Sequence, residues 1–413
     1  MAAALRLILI PLVPAVPSWD GVIYVRAAEQ LAQGEGYTQR ILHEANSPRP
    51  TAFYPVGFPA VLAGVRLLGG GLRADRWLQV VASSALVPIV YLLARRTRHR
   101  RAGRAAAWLC ALWPAGIFLS STWLAEPVFA LGVGLSLLPY AYARRRQLPY
   151  ALAIAALGLG LTAYLRASSL PMIALIGLVA GYRPRLALPQ RVLLAGATAA
   201  ALTLIAVIPL APWAYRNWRL LGAPVLVSTN GGVNLLLGTR GEGGFVSLSP
   251  TEPCKNDPLR EVERDRCYAK RAREAILAEP VAWGARGLIK LAHTFGHESA
   301  MAQCFGEGLT GLSPEARAAW RLWALGLCRV GYLPLLAAAI AGGWRIAKRG
   351  SLRMRAILFA PPLALAALHV VYLGGDRYHA AVAPMLLALA GIGWADRPRK
   401  ADTASQIASP SRA

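Results

Sequence analysis

Long apolar runs recur along the whole chain with short polar breaks between them, the pattern of helices that cross a bilayer and not of helices with one wet face. They extend over Met1 to Val16, Trp77 to Leu93, Ala105 to Ser121, Leu124 to Tyr142, Leu148 to Leu165, Ser168 to Tyr182, Val192 to Trp213, Trp320 to Gly343, Ala356 to Leu373 and His379 to Trp394. Read as crossings, they predict an all-α polytopic membrane protein with about ten transmembrane helices. The first run has 16 residues, which at about 1.5 Å per residue reach only ~24 Å, short of a ~30 Å hydrocarbon core. With Pro11 and Pro14 inside it, a truncated start or a tilted, irregular helix is expected. It lacks a strong basic n-region and an A-x-A cleavage site, so it reads as a retained helix and not as a signal peptide.

The polar breaks orient the bundle. Five are rich in arginine: "ARRTRHRRAGR" (Ala94 to Arg104), "RRRQ" (Arg144 to Gln147), "RPRLALPQR" (Arg183 to Arg191), "WRIAKRGSLRMR" (Trp344 to Arg355) and "DRPRK" (Asp396 to Lys400). The positive-inside rule puts all five in the cytoplasm, and the apolar runs supply an even number of crossings between neighbouring pairs. Both termini then lie inside. "YPVGFPAVLAGVRLLGGG" (Tyr54 to Gly71) has no crossing left to make; Arg66, two prolines and a triple glycine predict an interfacial or re-entrant helix there. Residues 1–400 form one membrane domain in this reading. Within it, 17–76 are a first outer loop with interfacial helices, and 214–318 are a large outer loop region of mixed structure; 401–413 are a disordered cytoplasmic tail.

Composition supports the membrane reading: 56% of the 413 residues are hydrophobic. A formal net charge of +25 would suggest nucleic acid in a soluble protein, but most arginines sit at run ends and only five residues are lysine. Topology and an arginine-rich coding bias account for the basicity, and no nucleic-acid partner is expected. Of five cysteines, Cys110 and Cys328 lie in apolar runs as small core residues. Cys254 and Cys267 flank a charged segment and can pair in an oxidising compartment; Cys304 is an equal alternative partner, and all three can be free.

Under this topology the outer face gathers "SWDG", "TAFYPVGFP", "TWLAEPVF", "YLRASSLP", "WAYRNWRLLGAPVLVSTNGGVNLLLGT" and "LGGDRYHAAVAP". These bring Asp20, Glu126, Arg166, Arg216, Asp376 and Arg377 to one membrane surface, so a site at the outer leaflet is expected. Locally, Asp20 followed by the stripe Ile23, Ala27 and Leu31 is an ordinary helix N-cap. Glu126 at a tight outer turn needs a role or a partner, and a structural salt bridge to Arg166 is one. Arg166, Arg216 and Arg377 suit a phosphate, or else snorkel to lipid head groups. "STNGGVNLLLGT" (Ser228 to Thr239) can bring backbone close to a sugar through Asn230 and Asn234, or it is a turn between short strands. His293 and His297 are four apart but lack a third ligand, and Asp257 to Ala278 reads as a solvated helix.

In order and spacing, the Asp after the first run followed by "YVRAAEQLAQGEGYT", then "YPVGFPAVLAG", "AEPVFALGV", "YLRASSLPMIAL", "PWAYRNWRLLGAPVLVSTNGGVNLLLGT" and "DRYHAAVAPMLLALAG" resemble the class-C integral-membrane glycosyltransferases. The resemblance is to the family 39 type, related to protein O-mannosyltransferases and the lipid A aminoarabinose transferase, and covers almost the whole chain. It implies a glycosyltransferase taking a sugar from a polyprenyl-phosphate donor, with inversion, to a lipid, glycan or protein acceptor at the extracytoplasmic face of a bacterial inner or plasma membrane. Asp20 becomes the general base in this light, with a divalent cation as a possible helper and no other cofactor expected. Arg377 with Tyr378 matches the family's lipid-phosphate contact, followed by Arg216 and Arg166; Tyr54, Asn230 and Asn234 are sugar contacts, and Glu126 an acceptor or cation ligand. Some relatives carry Asp-Glu where this chain has Asp20 and Gly21, which leaves a second carboxylate to Glu29, Glu44 or Glu126. The reading from another class is a transporter or lipid flippase, although the midplane charges on broken helices and the internal repeats of transporters are not found.

Overall fold

The structure, a computed structural model, describes residues 3–7, 15–42, 48–97, 100–241, 244–249, 251–256 and 260–395. Most of the first apolar run, Glu44, Asp257 and the tail 401–413 therefore lie outside the described residues. The protein is 77% helical. Every apolar run from Trp77 onward coincides with helix. Five helical stretches are long and apolar enough to cross a membrane: Leu72–Arg95, Leu188–Leu221, Pro314–Arg349, Leu352–Val371 and Asp376–Ala395. The shortest of these have 20 residues, about 30 Å at 1.5 Å per residue, which matches a hydrocarbon core. The chain is an integral membrane protein.

Between helices in lipid, hydrophobicity provides little attraction and close packing of small residues provides most of it. The helix Ala383–Ala395 sits at the centre of the bundle, against Pro314–Arg349 and Arg100–Leu112. A Cβ at Gly342 or Gly393 would overlap the backbone of the facing helix at Leu389 or Ala338, so glycine sets that close crossing. The described part of the first run is helical at residues 3–7 and is pinned by Arg6, which is fully buried. Its guanidinium donates to the Ser83 hydroxyl at 2.8 Å and to the carbonyls of Ala111 and Cys110 at 3.2 and 3.1 Å.

Within 17–76 the expected short helix spans Gly57–Leu67. Arg66 near its end donates two bonds, 2.8 and 2.7 Å, to the buried carboxylate of Asp75, which also accepts from the Trp123 indole at 3.2 Å. This buried pair fixes the helix to the start of the first long span. Within 214–318 Cys254 and Cys267 form a disulfide, and Cys304 is buried and free. The expectation of mixed structure there is corrected: no strand occurs among the described residues, and Gly231–Leu237 is a helix. The strand-like residues around it find no neighbouring edge. Instead Gly232 donates its backbone N–H to Asp265 at 2.6 Å, and Leu236 packs with Tyr268 and Ala272 of the helix Glu261–Ala278.

Candidate active site

The chain leaving the first run is held to the end of the 214–318 region. Val16 donates to the Gly308 carbonyl at 2.9 Å, and the Ser18 hydroxyl to the Cys304 carbonyl at 2.7 Å. Trp19 follows with φ of 52°, the one non-glycine residue with positive φ among those described. Such a conformation costs on the order of 1–3 kcal/mol and persists where the surroundings enforce it. Here the indole donates to Glu307 at 2.6 Å and lies beneath the Arg377 guanidinium at 5.7 Å.

Asp20 then opens the helix Asp20–Ala32 but caps nothing; its side chain makes no bond to the helix backbone. It turns to two other segments. Arg377 donates to Oδ2 at 2.7 Å, and the Tyr54 hydroxyl donates to Oδ1 at 3.3 Å. Burial pushes the Asp20 carboxyl up, but Arg377, then Arg166 and Tyr54, outweigh it, so the group is held below the ordinary aspartate value. Burial and the Asp20 charge push the Tyr54 phenol up, so it stays a neutral donor. The carboxylate is ionised and aimed, as a base must be.

Gly21 explains the missing second carboxylate. A Cβ there would lie 3.0 Å from Trp123 Cβ and 3.2 Å from its carbonyl oxygen, so an Asp-Glu pair requires Trp123 to give way. Of the alternatives, Glu29 is exposed. Glu126 is buried and accepts from Arg166 at 2.5 Å, the salt bridge considered above. Its Oε2 is buried with no partner among the described residues. Burial lowers the Arg166 pKa most, but Glu126, Tyr24 and Tyr378 together raise it by more, so that charge is secure.

Tyr378 joins the two halves of the cluster. Arg166 and Arg377 each lie 5.1 Å from its ring centroid, geometry that favours cation–π attraction. Its ring also stacks on His369 at 4.6 Å. Two guanidinium groups share one aromatic ring, and each is paired with a carboxylate, Arg377 with Asp20 and Arg166 with Glu126. Side chains from at least five parts of the chain thus meet: Asp20, Tyr54, Glu126, Arg166, and Arg377 with Tyr378.

Arg216, Asn230 and Asn234 stand elsewhere, with no hydrogen bond or ion pair to this cluster. Arg216 stacks on Trp213 at 4.7 Å and donates to the carbonyls of Thr51 and Tyr37 at 2.8 and 2.9 Å, a clasp on the first outer loop. Asn230 accepts from the Ser228 hydroxyl at 2.8 Å, and Asn234 lies in the helix Gly231–Leu237. No group of three or more metal-ligating side chains occurs among the described residues. Nothing in the order of residues marks His369 or Tyr24, which packs edge-on to Tyr54 at 5.8 Å. Trp19 alone had a signal, its place in "SWDG".

No family model and no curated protein matches the chain. Among solved structures it is similar to the apo oligosaccharyltransferase of Archaeoglobus fulgidus, at 15% identity and a TM-score of 0.49, over 94% of this chain and 49% of that one. It is also similar to that organism's oligosaccharyltransferase AglB in complex with an inhibitory peptide and a dolichol-phosphate, at 15% identity and 0.46, over 94% and 49%. A third is ArnT from Cupriavidus metallidurans bound to undecaprenyl phosphate, at 14% and 0.41, over 95% and 76%. The chain spans about half the length of the oligosaccharyltransferase. These neighbours are class-C glycosyltransferases, the class whose motifs the sequence resembles. At TM-scores of 0.49 and below, likeness decides nothing about chemistry, which rests on the side chains.

Proposed function

We propose that the protein is a membrane glycosyltransferase that moves a sugar from a polyprenyl-phosphate donor to a hydroxyl or amine of a lipid, glycan or protein acceptor, with inversion at the anomeric carbon. The observation that carries this reading is the 2.7 Å pair of Asp20 and Arg377 with Arg166 and Tyr378 beside it. An ionised base and two guanidinium groups suited to phosphate are gathered at one end of the bundle. The donor phosphate draws Arg377 and Arg166, and Arg377 releases the Asp20 carboxylate as it turns. Asp20 then accepts the proton of the acceptor's O–H or N–H. The acceptor atom bonds to the anomeric carbon from the face opposite the phosphate, and the carbon–oxygen bond to phosphate breaks with its electron pair leaving on the phosphate. That leaving group is a stable anion and needs no proton, so one carboxylate suffices where a glycosidase uses two.

Tyr54 contacts the sugar in this scheme, and the unpartnered oxygen of Glu126 takes an acceptor donor or a divalent cation. Ten crossings with both termini in the cytoplasm, an extracytoplasmic site and a bacterial inner or plasma membrane complete the reading, supported by the arginine-rich breaks. The test is to incubate the purified full chain with a panel of polyprenyl-phosphate sugars and measure free lipid phosphate. Release from at least one donor, lost in Asp20→Asn, is expected. No release from any donor, with a small solute moving across proteoliposomes, would replace the enzyme with a transporter.

A further inference from the structure

Asp376 precedes Arg377, is only 7% exposed, and has no part in the reaction proposed above. Its Oδ2 accepts from the Ser299 hydroxyl and the Ala300 backbone N–H, both at 2.8 Å, and from the backbone N–H of Ser299. His297 Nε2 lies 3.8 Å from the same oxygen. Ser299 is the N-cap of the helix Ala300–Gly308. A carboxylate from a distant segment therefore satisfies two amides that a helix start leaves free, at the end where the helix favours negative charge.

The far end of that helix holds the approach to the other member of the pair. Cys304, Glu307 and Gly308 accept from the Ser18 hydroxyl, the Trp19 indole and the Val16 amide. The helix is thus tied at its start to the residue before Arg377 and at its end to the residue before Asp20. Its nine residues span about 13 Å at 1.5 Å per residue, a length fixed by its own hydrogen bonds. The turn that carries Arg377 is anchored on both sides. Gly375 donates to the Thr294 hydroxyl at 3.3 Å, and the buried His379 donates from Nδ1 to the Thr294 carbonyl at 2.6 Å while its Nε2 meets Glu298 at 2.9 Å. Residues 375, 376 and 379 are held on 294–300, while Arg377 and Tyr378 reach the Asp20 cluster.

We propose that the helix Ala300–Gly308 is the spacer that sets Arg377 against Asp20, with Asp376 as the positioning residue that couples the helix to Arg377. Asp376 makes no hydrogen bond or ion pair with either member of the pair among the described residues, so it acts through backbone placement. The coupling holds whatever the substrate; an effect on turnover rests on the sugar transfer proposed above.

Hydrogen-exchange mass spectrometry of the full chain in detergent tests the coupling without substrate. In Asp376→Ala, exchange should rise by about fivefold, the effect of losing a helix cap, both in 299–303 and in 16–24, with the helix Leu188–Val207 unchanged. Asp376→Asn keeps an acceptor oxygen and should recover most of the protection. With a donor that the wild type turns over, Asp376→Ala should lower kcat by about 10²-fold, as a ~1 Å misplacement of reacting groups does, leave the pH profile in place, and be largely rescued by Asp376→Asn. A rise confined to 299–303 would make Asp376 a local cap and overturn the proposal, as would an unchanged kcat. Should Asp376→Ala fail to fold, Glu307→Ala at the exposed end of the helix decides. Its increase in exchange should reach 375–379, and an increase confined to 16–24 overturns the spacer. Absence of wild-type turnover with every donor removes the sugar transfer and leaves exchange to decide the coupling.

Discussion

Arg377 donates to the carboxylate of Asp20 at 2.7 Å across 357 residues of chain. Both side chains remain partly accessible, at 17% and 22%, so an incoming phosphate can compete for the guanidinium. In the proposed mechanism the contact is a resting state from which each partner is released to its task.

Asp20→Asn keeps the shape and removes the base. Release of lipid phosphate should fall by ~10²–10⁴-fold, the range for loss of a positioned general base, with donor retention changed far less. Full turnover in this variant would place the base elsewhere.

Arg377→Gln and Arg216→Gln should separate binding from scaffolding. The first removes a charge beside the proposed phosphate position and should raise the donor KM by at least about tenfold, and Arg377→Lys should recover it incompletely because a point charge does not replace a bidentate fork. Arg216→Gln loosens the ties to Thr51 and Tyr37, so melting temperature should drop while donor KM in the folded fraction holds.

The direction of the Asp20 shift sets a pH window. Its folded value is depressed, so the stability of the pair is present above the ordinary aspartate value, about 3.9, and is lost as pH falls through the folded value. The melting-temperature difference between wild type and Asp20→Asn should be constant from pH 5 to 8 and shrink only below about pH 4. An acidic limb in turnover near pH 6 would show that another group limits the rate.

Glu126 and Arg166 should be coupled. Their 2.5 Å contact and the burial of the carboxylate predict a double-mutant interaction of roughly 1–3 kcal/mol for Glu126→Gln with Arg166→Gln, read from denaturation in detergent. Additive single effects would mean that the pair contributes little.

The disulfide closes a short segment, Cys254 and Cys267 being 13 positions apart. A loop of that size is worth about 3 kcal/mol by restricting the unfolded chain. Cys254→Ser should lower the melting temperature of the outer region and leave a thiol that alkylates without reductant; unaltered melting would count against the bond.

Much of the candidate side-chain cluster was legible in sequence, for a reason that particular residues illustrate. Asp20, Glu126, Arg166 and Arg377 are ionisable side chains at the ends of apolar runs, where a bilayer makes unassigned charge expensive, so each declared itself. Arg216 carried the same signal and belongs to a clasp, because a guanidinium satisfied by backbone carbonyls looks in sequence like one awaiting phosphate. Asn230 and Asn234 were read from amide chemistry alone, which many turns share. The strand expectation around Ser228 failed since propensity weighs little when Asp265 offers the backbone a helical alternative.

The order of apolar and charged residues, by itself, determined that the chain lives in a membrane and which ionisable groups stand at the ends of its apolar runs. Hydrocarbon imposes those choices residue by residue, without reference to distant partners. Tertiary structure alone decided that Asp20 pairs with Arg377 instead of capping its helix, that Trp123 crowds any Cβ at position 21, and that Arg216 is tied to Thr51 and Tyr37. Those outcomes depend on how helices cross at small residues, and a crossing geometry is a property of two surfaces that no single stretch of chain contains.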